Sequence, residues 1–168
     1  VPLLLFGFIV EAEIFQFYYP AMLLLSLLFL GLNGFLLEKF LNELFSKGQY
    51  SKSAIRLLCL LFVVNSLQVE VAQWAFIQCV AVQNALTIFA AICSCRWFRG
   101  GDKNNLYIAL FILIIAPLVH GAGLMTFPFC AMAIAIVYFV DKLSFKDVLL
   151  KLKTFVISSV LVSLPIVL

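Results

Sequence analysis

The chain has 168 residues, of which 65% are hydrophobic and 11% are charged, and its net charge is +3. A soluble domain typically carries about 25% charged residues, so this composition excludes an ordinary soluble enzyme. The apolar runs are continuous and do not alternate with polar residues, which argues against barrel strands. Because the backbone in lipid must satisfy its own hydrogen bonds, the sequence predicts an all-α, polytopic integral membrane protein.

One transmembrane crossing takes about 20 apolar residues, and apolar runs follow one another along the whole chain. The predicted helices, in chain order, span residues 1–10 (partial), 14–37, 54–68, 75–95, 105–119, 122–140 and 154–168 (partial). We therefore expect about five to six transmembrane helices, with partial helices at both ends, in a single helical domain over residues 1–168. Since the chain begins and ends inside apolar runs, we interpret it as a fragment of a longer protein.

The longest apolar run covers residues 106–140 and is too long for one crossing. It is interrupted by the lone histidine, His120, which lies beside two glycines and between Pro117 and Pro128. Proline removes a backbone donor and glycine tolerates the dihedral angles of a turn. We therefore predict a helical hairpin that turns at His120.

The basic residues are unevenly distributed along the chain. All eleven Lys and Arg residues fall in or at the edge of three connections, which are residues 38–56, 96–103 and 142–153. Since short cytoplasmic loops accumulate Lys and Arg, these three connections are predicted to face the cytoplasm, and Glu70, Trp74 and His120 the opposite side. Membrane insertion and contact with anionic lipid explain the basic connections, so no nucleic-acid partner is expected.

Polar side chains at membrane depth are costly, and those on the non-basic side are the candidates for a functional cavity. The predicted helix 75–95 is unusually polar, and Gln83 and Thr87 lie four residues apart on one of its faces. The candidate set is Glu70, Gln78, Gln83, Asn84 and His120. The five cysteines are interpreted as small buried hydrophobic residues, and we predict no metal site and no cofactor.

Two segments carry a resemblance to a known family. They read Val82-Gln83-Asn84-Ala85-Leu86 and His120-Gly121-Ala122-Gly123-Leu124, with Pro128 following in the next helix. This pattern resembles the EpsG and Wzy-like polysaccharide polymerases, in which a segment Arg-Gln-x-x-Ala precedes a segment His-x-Ser-Ala-Leu. The resemblance covers roughly residues 60–140. Val82 stands where the family usually has Arg, which would clamp a pyrophosphate, and Ala122-Gly123 replaces Ser-Ala.

The resemblance implies a function on the outer face of the bacterial inner membrane. The enzyme would join undecaprenyl-pyrophosphate-linked repeat units of an O-antigen, capsule or exopolysaccharide, with a chain-length regulator or a flippase as its protein partner. Glu70 would be the catalytic base, and His120 a base or a phosphate partner. Gln73, Gln78, Gln83 and Asn84 would bind sugar hydroxyls, and Trp74 would stack on a sugar ring.

Other interpretations of the same residues remain open. His120 would cap the preceding helix with its ring, Trp74 would anchor the interface, and Glu70 would be solvated. The amides would form hydrogen bonds between helices. The alternative functions are a multi-pass transporter or flippase for lipid-linked sugars or another solute, in which Pro117 marks a broken helix, and a non-catalytic membrane scaffold.

Overall fold

A computed structural model describes the fold of most of the chain. The described residues are 9, 12–14, 16, 18–45, 50–65, 78–143 and 145–167, without the side chains of 78, 145, 147–148 and 160–167. The helices are α1 (Tyr19–Leu44), α2 (Lys52–Val63), α3 (Gln78–Gly100), α4 (Lys103–Val119), a 3-10 helix (Gly121–Met125), α5 (Thr126–Asp141) and α6 (Phe145–Val167). Within these ranges there is no strand, which confirms the all-α prediction.

Three helical stretches are long and apolar enough to cross a membrane. They are Tyr19–Leu44, Cys79–Gly100 and Gly121–Asp141, and the apolar helix Lys103–Val119 is shorter. The described residues therefore contain fewer crossings than the five to six expected. One reason is α2, whose 12 residues span about 18 Å, well below the hydrocarbon thickness of about 30 Å.

The observed bounds differ from the predicted ones where charged residues interrupt an apolar run. Helix α1 begins at Tyr19 instead of residue 14 and continues through Glu38 and Lys39 to Leu44, so most of the expected span 14–37 and the start of the following connection are one helix. Helix α6 likewise begins at Phe145 instead of residue 154. Lysine and glutamate are good helix formers, and they therefore extend a helix beyond the hydrocarbon without breaking it.

Helix α3 lies at the centre of the bundle. It packs against α1, α4 and α5, while α2 packs on α1, and α6 packs on α4 and α5. The middle of α3 carries the small residues Ala90, Ala91 and Cys95, each fully buried. Small side chains let helices in a membrane approach closely, and dispersion contacts then hold them together.

The predicted hairpin turns where expected, at His120. Helix α4 contains Pro117, ends at Val119, and is followed by the 3-10 helix and α5. Gly123 lies directly against the end of α4, because a Cβ atom there would overlap the backbone of Ala116 and Pro117. The tight hairpin therefore requires glycine at this position.

Helices α1, α3 and α5 run in the same direction, because the contacts Asn33–Ala81 and Gln83–Thr126 lie at one end of α3 and those of Arg99 lie at the other. The bundle therefore has two distinct ends. The ends of α1, α3 and α5 meet at Arg99, which contacts Glu43 and Asp141. We call this end the basic end, and the opposite end, where α4 turns into α5, the His120 end. The predicted candidate residues that the structure describes belong to the His120 half of the bundle.

Candidate functional site

The candidate residues differ in what the structure says about them. Gln83 is buried, with 3% of its surface exposed, and Asn84 and His120 are half-buried. Gln78 is the first residue of α3, but its side chain lies outside the described part of the chain. The predicted Glu70, Gln73 and Trp74 also lie outside the described residues.

Gln83 belongs to a buried polar cluster that joins α3 to α5. Its Nε2 atom donates to Thr87 Oγ1 at 3.0 Å and to Thr126 Oγ1 at 3.1 Å. The two threonine hydroxyls lie 2.8 Å apart and share a hydrogen bond. We call these three residues the Gln83 cluster. The shared face of Gln83 and Thr87 was expected from their spacing, whereas Thr126, which is fully buried, is a member that the sequence analysis missed.

One end of the Gln83 amide has no partner. Oε1 is buried without a hydrogen bond in the part of the chain that the structure describes. Both threonine hydroxyls lie at the opposite end of the amide, so turning the amide over would leave its nitrogen unpaired instead. An unsatisfied buried polar atom costs about 1–3 kcal/mol. With respect to the described residues, the cluster therefore has one acceptor available for a further hydrogen bond.

His120 connects α4 to the 3-10 helix through its backbone and its ring. Its N–H donates to the carbonyl of Ala116 at 3.2 Å, and its Nδ1 accepts from the N–H of Ala122 at 3.2 Å. The ring thus caps the helix that follows it, while only the backbone of His120 caps the preceding one. Sequence analysis had assigned the ring to the preceding helix as the alternative to a catalytic role.

The cap fixes which ring nitrogen carries the proton. Because Nδ1 accepts a hydrogen bond, the neutral imidazole has its hydrogen on Nε2. Nε2–H is therefore a donor, and the lone pair that a general base needs is already engaged at Nδ1. This geometry suits a hydrogen bond from His120 to a phosphate or hydroxyl oxygen better than it suits proton abstraction.

A second unsatisfied amide lies between α1 and α3. Asn33 is fully buried, and its Nδ2 donates to the carbonyl of Ala81 at 3.0 Å. Its Oδ1 has no hydrogen bond within the described residues. Ala81 and Gln83 are two residues apart on α3, so the first turns of this helix carry polar contacts to α1 on one side and to α5 on another.

The described residues contain no group of three His, Cys, Asp or Glu side chains that would hold a metal ion. Cys59, Cys93, Cys95 and Cys130 are buried and Cys79 is half-buried. Four of the five cysteines thus have the burial that was expected of small hydrophobic residues.

The basic end holds a second polar cluster, which the sequence analysis missed. Arg99 Nε donates to Asp141 at 2.7 Å, and Arg99 Nη2 donates to the carbonyl of Leu44 at 3.0 Å. Arg99 also donates to the carbonyl of Glu43. These carbonyls belong to the last turn of α1, whose final C=O groups have no partner within the helix. One guanidinium therefore caps α1 from α3 and binds α5.

No protein-family model, no curated protein sequence and no solved structure matches the chain significantly.

Proposed function

We propose that the chain is part of a multi-pass enzyme of the bacterial inner membrane that joins lipid-linked oligosaccharide repeat units of a surface polysaccharide. The basic end would face the cytoplasm, and the His120 end would face the outside, where the repeat units are joined. In this proposal the whole protein has at least the five to six crossings expected from the sequence. The observation that supports it best is the unsatisfied end of the Gln83 amide inside a membrane-spanning bundle.

A sugar is a suitable ligand for the Gln83 cluster. Its hydroxyl groups are uncharged and both donate and accept hydrogen bonds, which is what an amide and two threonine hydroxyls offer. A neutral ligand also avoids the cost of bringing a charge to membrane depth. The Gln83 cluster would then hold the sugar, together with Gln73, Gln78 and Asn84, and Trp74 would stack on the ring.

The reaction requires a base and a group that stabilises the leaving pyrophosphate. A hydroxyl of the acceptor unit attacks the anomeric carbon of the donor unit, Glu70 takes the hydroxyl proton, and the C–O bond to undecaprenyl pyrophosphate breaks with its electron pair. His120 would donate from Nε2 to a phosphate oxygen, which stabilises the developing charge. This assignment replaces the base role for His120 and keeps its role as a phosphate partner.

A complementation experiment tests the proposal. The intact gene is deleted and then restored as wild type, Gln83→Leu, Glu70→Ala or Thr154→Val, and surface polysaccharide is separated by chain length. Thr154 is the control, because it is exposed on α6 and its hydroxyl donates within its own helix to Leu150 at 2.9 Å. We expect single repeat units without long chains in the deletion, in Gln83→Leu and in Glu70→Ala, and full ladders with Thr154→Val.

Other outcomes would contradict the proposal in different ways. Chain length unchanged by the deletion would exclude a polymerase and favour a scaffold. Loss of all surface material, single repeat units included, would favour the transporter or flippase, for which the broken helical path from Pro117 through the 3-10 helix is the supporting observation. Full ladders with Gln83→Leu would show that the Gln83 cluster does not bind the substrate.

The role of His120 is tested with a substitution that keeps the cap. Asparagine is among the best N-capping residues, so His120→Asn preserves a side-chain acceptor for Ala122 but removes Nε2. We expect His120→Asn to accumulate to the wild-type level and to give at least tenfold fewer long chains. Full ladders with this variant would mean that His120 only caps the 3-10 helix.

A further inference from the structure

Arginine and lysine have different roles at the basic end. The arginine side chains pair with acidic ones: Arg56 with Glu38 at 3.1 Å, Arg96 with Glu43 at 3.1 Å, and Arg99 with Asp141 at 2.7 Å. A fourth acidic residue there, Asp102, accepts hydrogen bonds from Asn104 and Asn105 at the start of α4. These four acidic side chains are thus engaged within the bundle, and no described acidic side chain pairs with a described lysine.

The excess of lysine is largest at the start of α6. Residues 142–153 contain four lysines and a single acidic residue, Asp147. Lys151 faces the bundle, where its Nζ donates to the carbonyl of Phe98 at 2.7 Å and lies 5.5 Å from the centre of the Phe98 ring. Lys146 and Lys153 are exposed, and neither has an ion pair with a described side chain.

Lys146 and Lys153 lie on the outward face of α6. They are seven residues apart, which is two helical turns, and so share one side of the helix. Between them are Leu149 and Leu150, 55% and 68% exposed. The opposite side packs inward, with Phe155 fully buried against the rings of Trp97 and Phe127. We call the outward set Lys146, Leu149, Leu150 and Lys153 the α6 lysine face.

The contact of Lys151 places the α6 lysine face beside the end of a candidate membrane span. Lys151 meets the last turn of α3, and α3 is a candidate membrane span. Beyond Lys153 the outward side of α6 becomes apolar, with exposed Val156 and Ile157. In a bilayer crossed by α3, the lysines would lie at headgroup depth and the apolar side chains where the acyl chains begin, which is the arrangement of a helix that enters a bilayer from its interface.

We propose that the α6 lysine face is a binding site for anionic phospholipid. The two ammonium groups contact headgroup phosphates of neighbouring lipids, and Leu149 and Leu150 contact the upper acyl chains. Charge complementarity selects this occupant, because the face carries exposed lysines without described acidic partners beside exposed leucines at the bilayer surface. The inference concerns a different surface from the Gln83 cluster and holds whether or not the chain is a polymerase.

The proposal is tested with the purified full chain in vesicles of phosphatidylcholine that contain a trace of spin-labelled lipid. Electron spin resonance measures the motionally restricted fraction for labelled phosphatidylglycerol and for labelled phosphatidylcholine. The variant is Lys146→Gln with Lys153→Gln, and the matched control is Lys52→Gln with Lys103→Gln, which removes two exposed lysines from the same end but not from α6. Lys146→Arg with Lys153→Arg keeps the charge.

For the wild type we expect preferential restriction of phosphatidylglycerol that weakens at high salt. Each lysine near an anionic surface contributes about fivefold in affinity, which corresponds to about 1 kcal/mol. In the Gln variant the preference for phosphatidylglycerol over phosphatidylcholine should therefore fall at least fivefold. The control and the Arg variant should retain the wild-type preference. An unchanged preference for phosphatidylglycerol in the Gln variant, or an equal loss of it in the control, would overturn the proposal. The α6 lysine face would then contact a protein partner or solvent instead of lipid.

Discussion

The two ends of the bundle both join helices through buried polar groups, but they satisfy those groups to different degrees. At the basic end the Arg99 side chain donates to Asp141 and to the carbonyls of Glu43 and Leu44. At the His120 end the Gln83 cluster is neutral, and one end of its amide is unsatisfied among the described residues. All three guanidinium nitrogens of Arg99 are engaged by side chains and carbonyls of neighbouring helices, whereas the unpaired amide oxygen of Gln83 has capacity for a ligand. This difference leads us to place the function at the His120 end.

The largest effect is expected at the basic end, from Arg99→Leu. The Arg99 side chain is 18% exposed and that of Asp141 only 5%, so the substitution removes the Arg99 hydrogen bonds to a nearly buried carboxylate and to two α1 carbonyls. Removing one partner of a buried pair costs about 3–5 kcal/mol. We expect a loss of this size in the free energy of unfolding, measured by denaturant titration in mixed micelles.

Arg96→Leu is the control for this prediction. Arg96 also pairs with Glu43, but its side chain is 51% exposed, and exposed ion pairs contribute about 1 kcal/mol at most. Equal losses for Arg96→Leu and Arg99→Leu would mean that burial does not distinguish the two pairs, and the contrast between a structural and a functional end would lose its basis.

The second effect concerns the hairpin at the His120 end. Gly123→Ala adds a Cβ atom that overlaps the backbone of Ala116 and Pro117. The backbone atoms cannot relieve this overlap by changing rotamer, as a side chain can. We expect a destabilisation of about 3 kcal/mol in the same unfolding measurement. Gly31→Ala is the control, because nothing lies within 4 Å of a Cβ there, and alanine stabilises a helix interior by about 1 kcal/mol relative to glycine.

The third prediction separates stability from function within the Gln83 cluster. Thr126→Val removes a hydroxyl that Gln83 and Thr87 both contact, and we expect it to cost about 1 kcal/mol. Gln83→Leu removes the unsatisfied oxygen, and the two threonine hydroxyls lose the Gln83 donor but keep the hydrogen bond to each other. We expect this substitution to cost no more than about 1 kcal/mol. If the Gln83→Leu protein is stable but makes no long chains, Gln83 acts in ligand binding and not in folding stability.

The sequence predicted those features that depend on neighbouring residues. The turn at His120 follows from the local prolines and glycines, and the common face of Gln83 and Thr87 follows from a spacing of four. Thr126 was missed because its contact with Gln83 joins residues 43 positions apart. Which residues of α5 and α3 meet depends on the axial register in which the two helices pack. The Arg99–Asp141 pair, 42 positions apart, was missed for the same reason. One apolar helix fits another in several registers, so a single sequence does not determine which polar groups meet.

The smallest effect is expected where α5 ends. It tests whether a substitution can still increase the stability of the basic end, despite the ion pairs there. Lys142 follows α5 in the left-handed conformation, with φ 51° and ψ 46°, which costs a residue with a Cβ atom about 1 kcal/mol relative to glycine. Glycine also loses more backbone entropy on folding, which offsets part of the gain. We therefore expect Lys142→Gly to raise the free energy of unfolding by about 0.5 kcal/mol. A loss of stability would instead mean that the Lys142 side chain contributes to the basic end by more than its backbone strain costs.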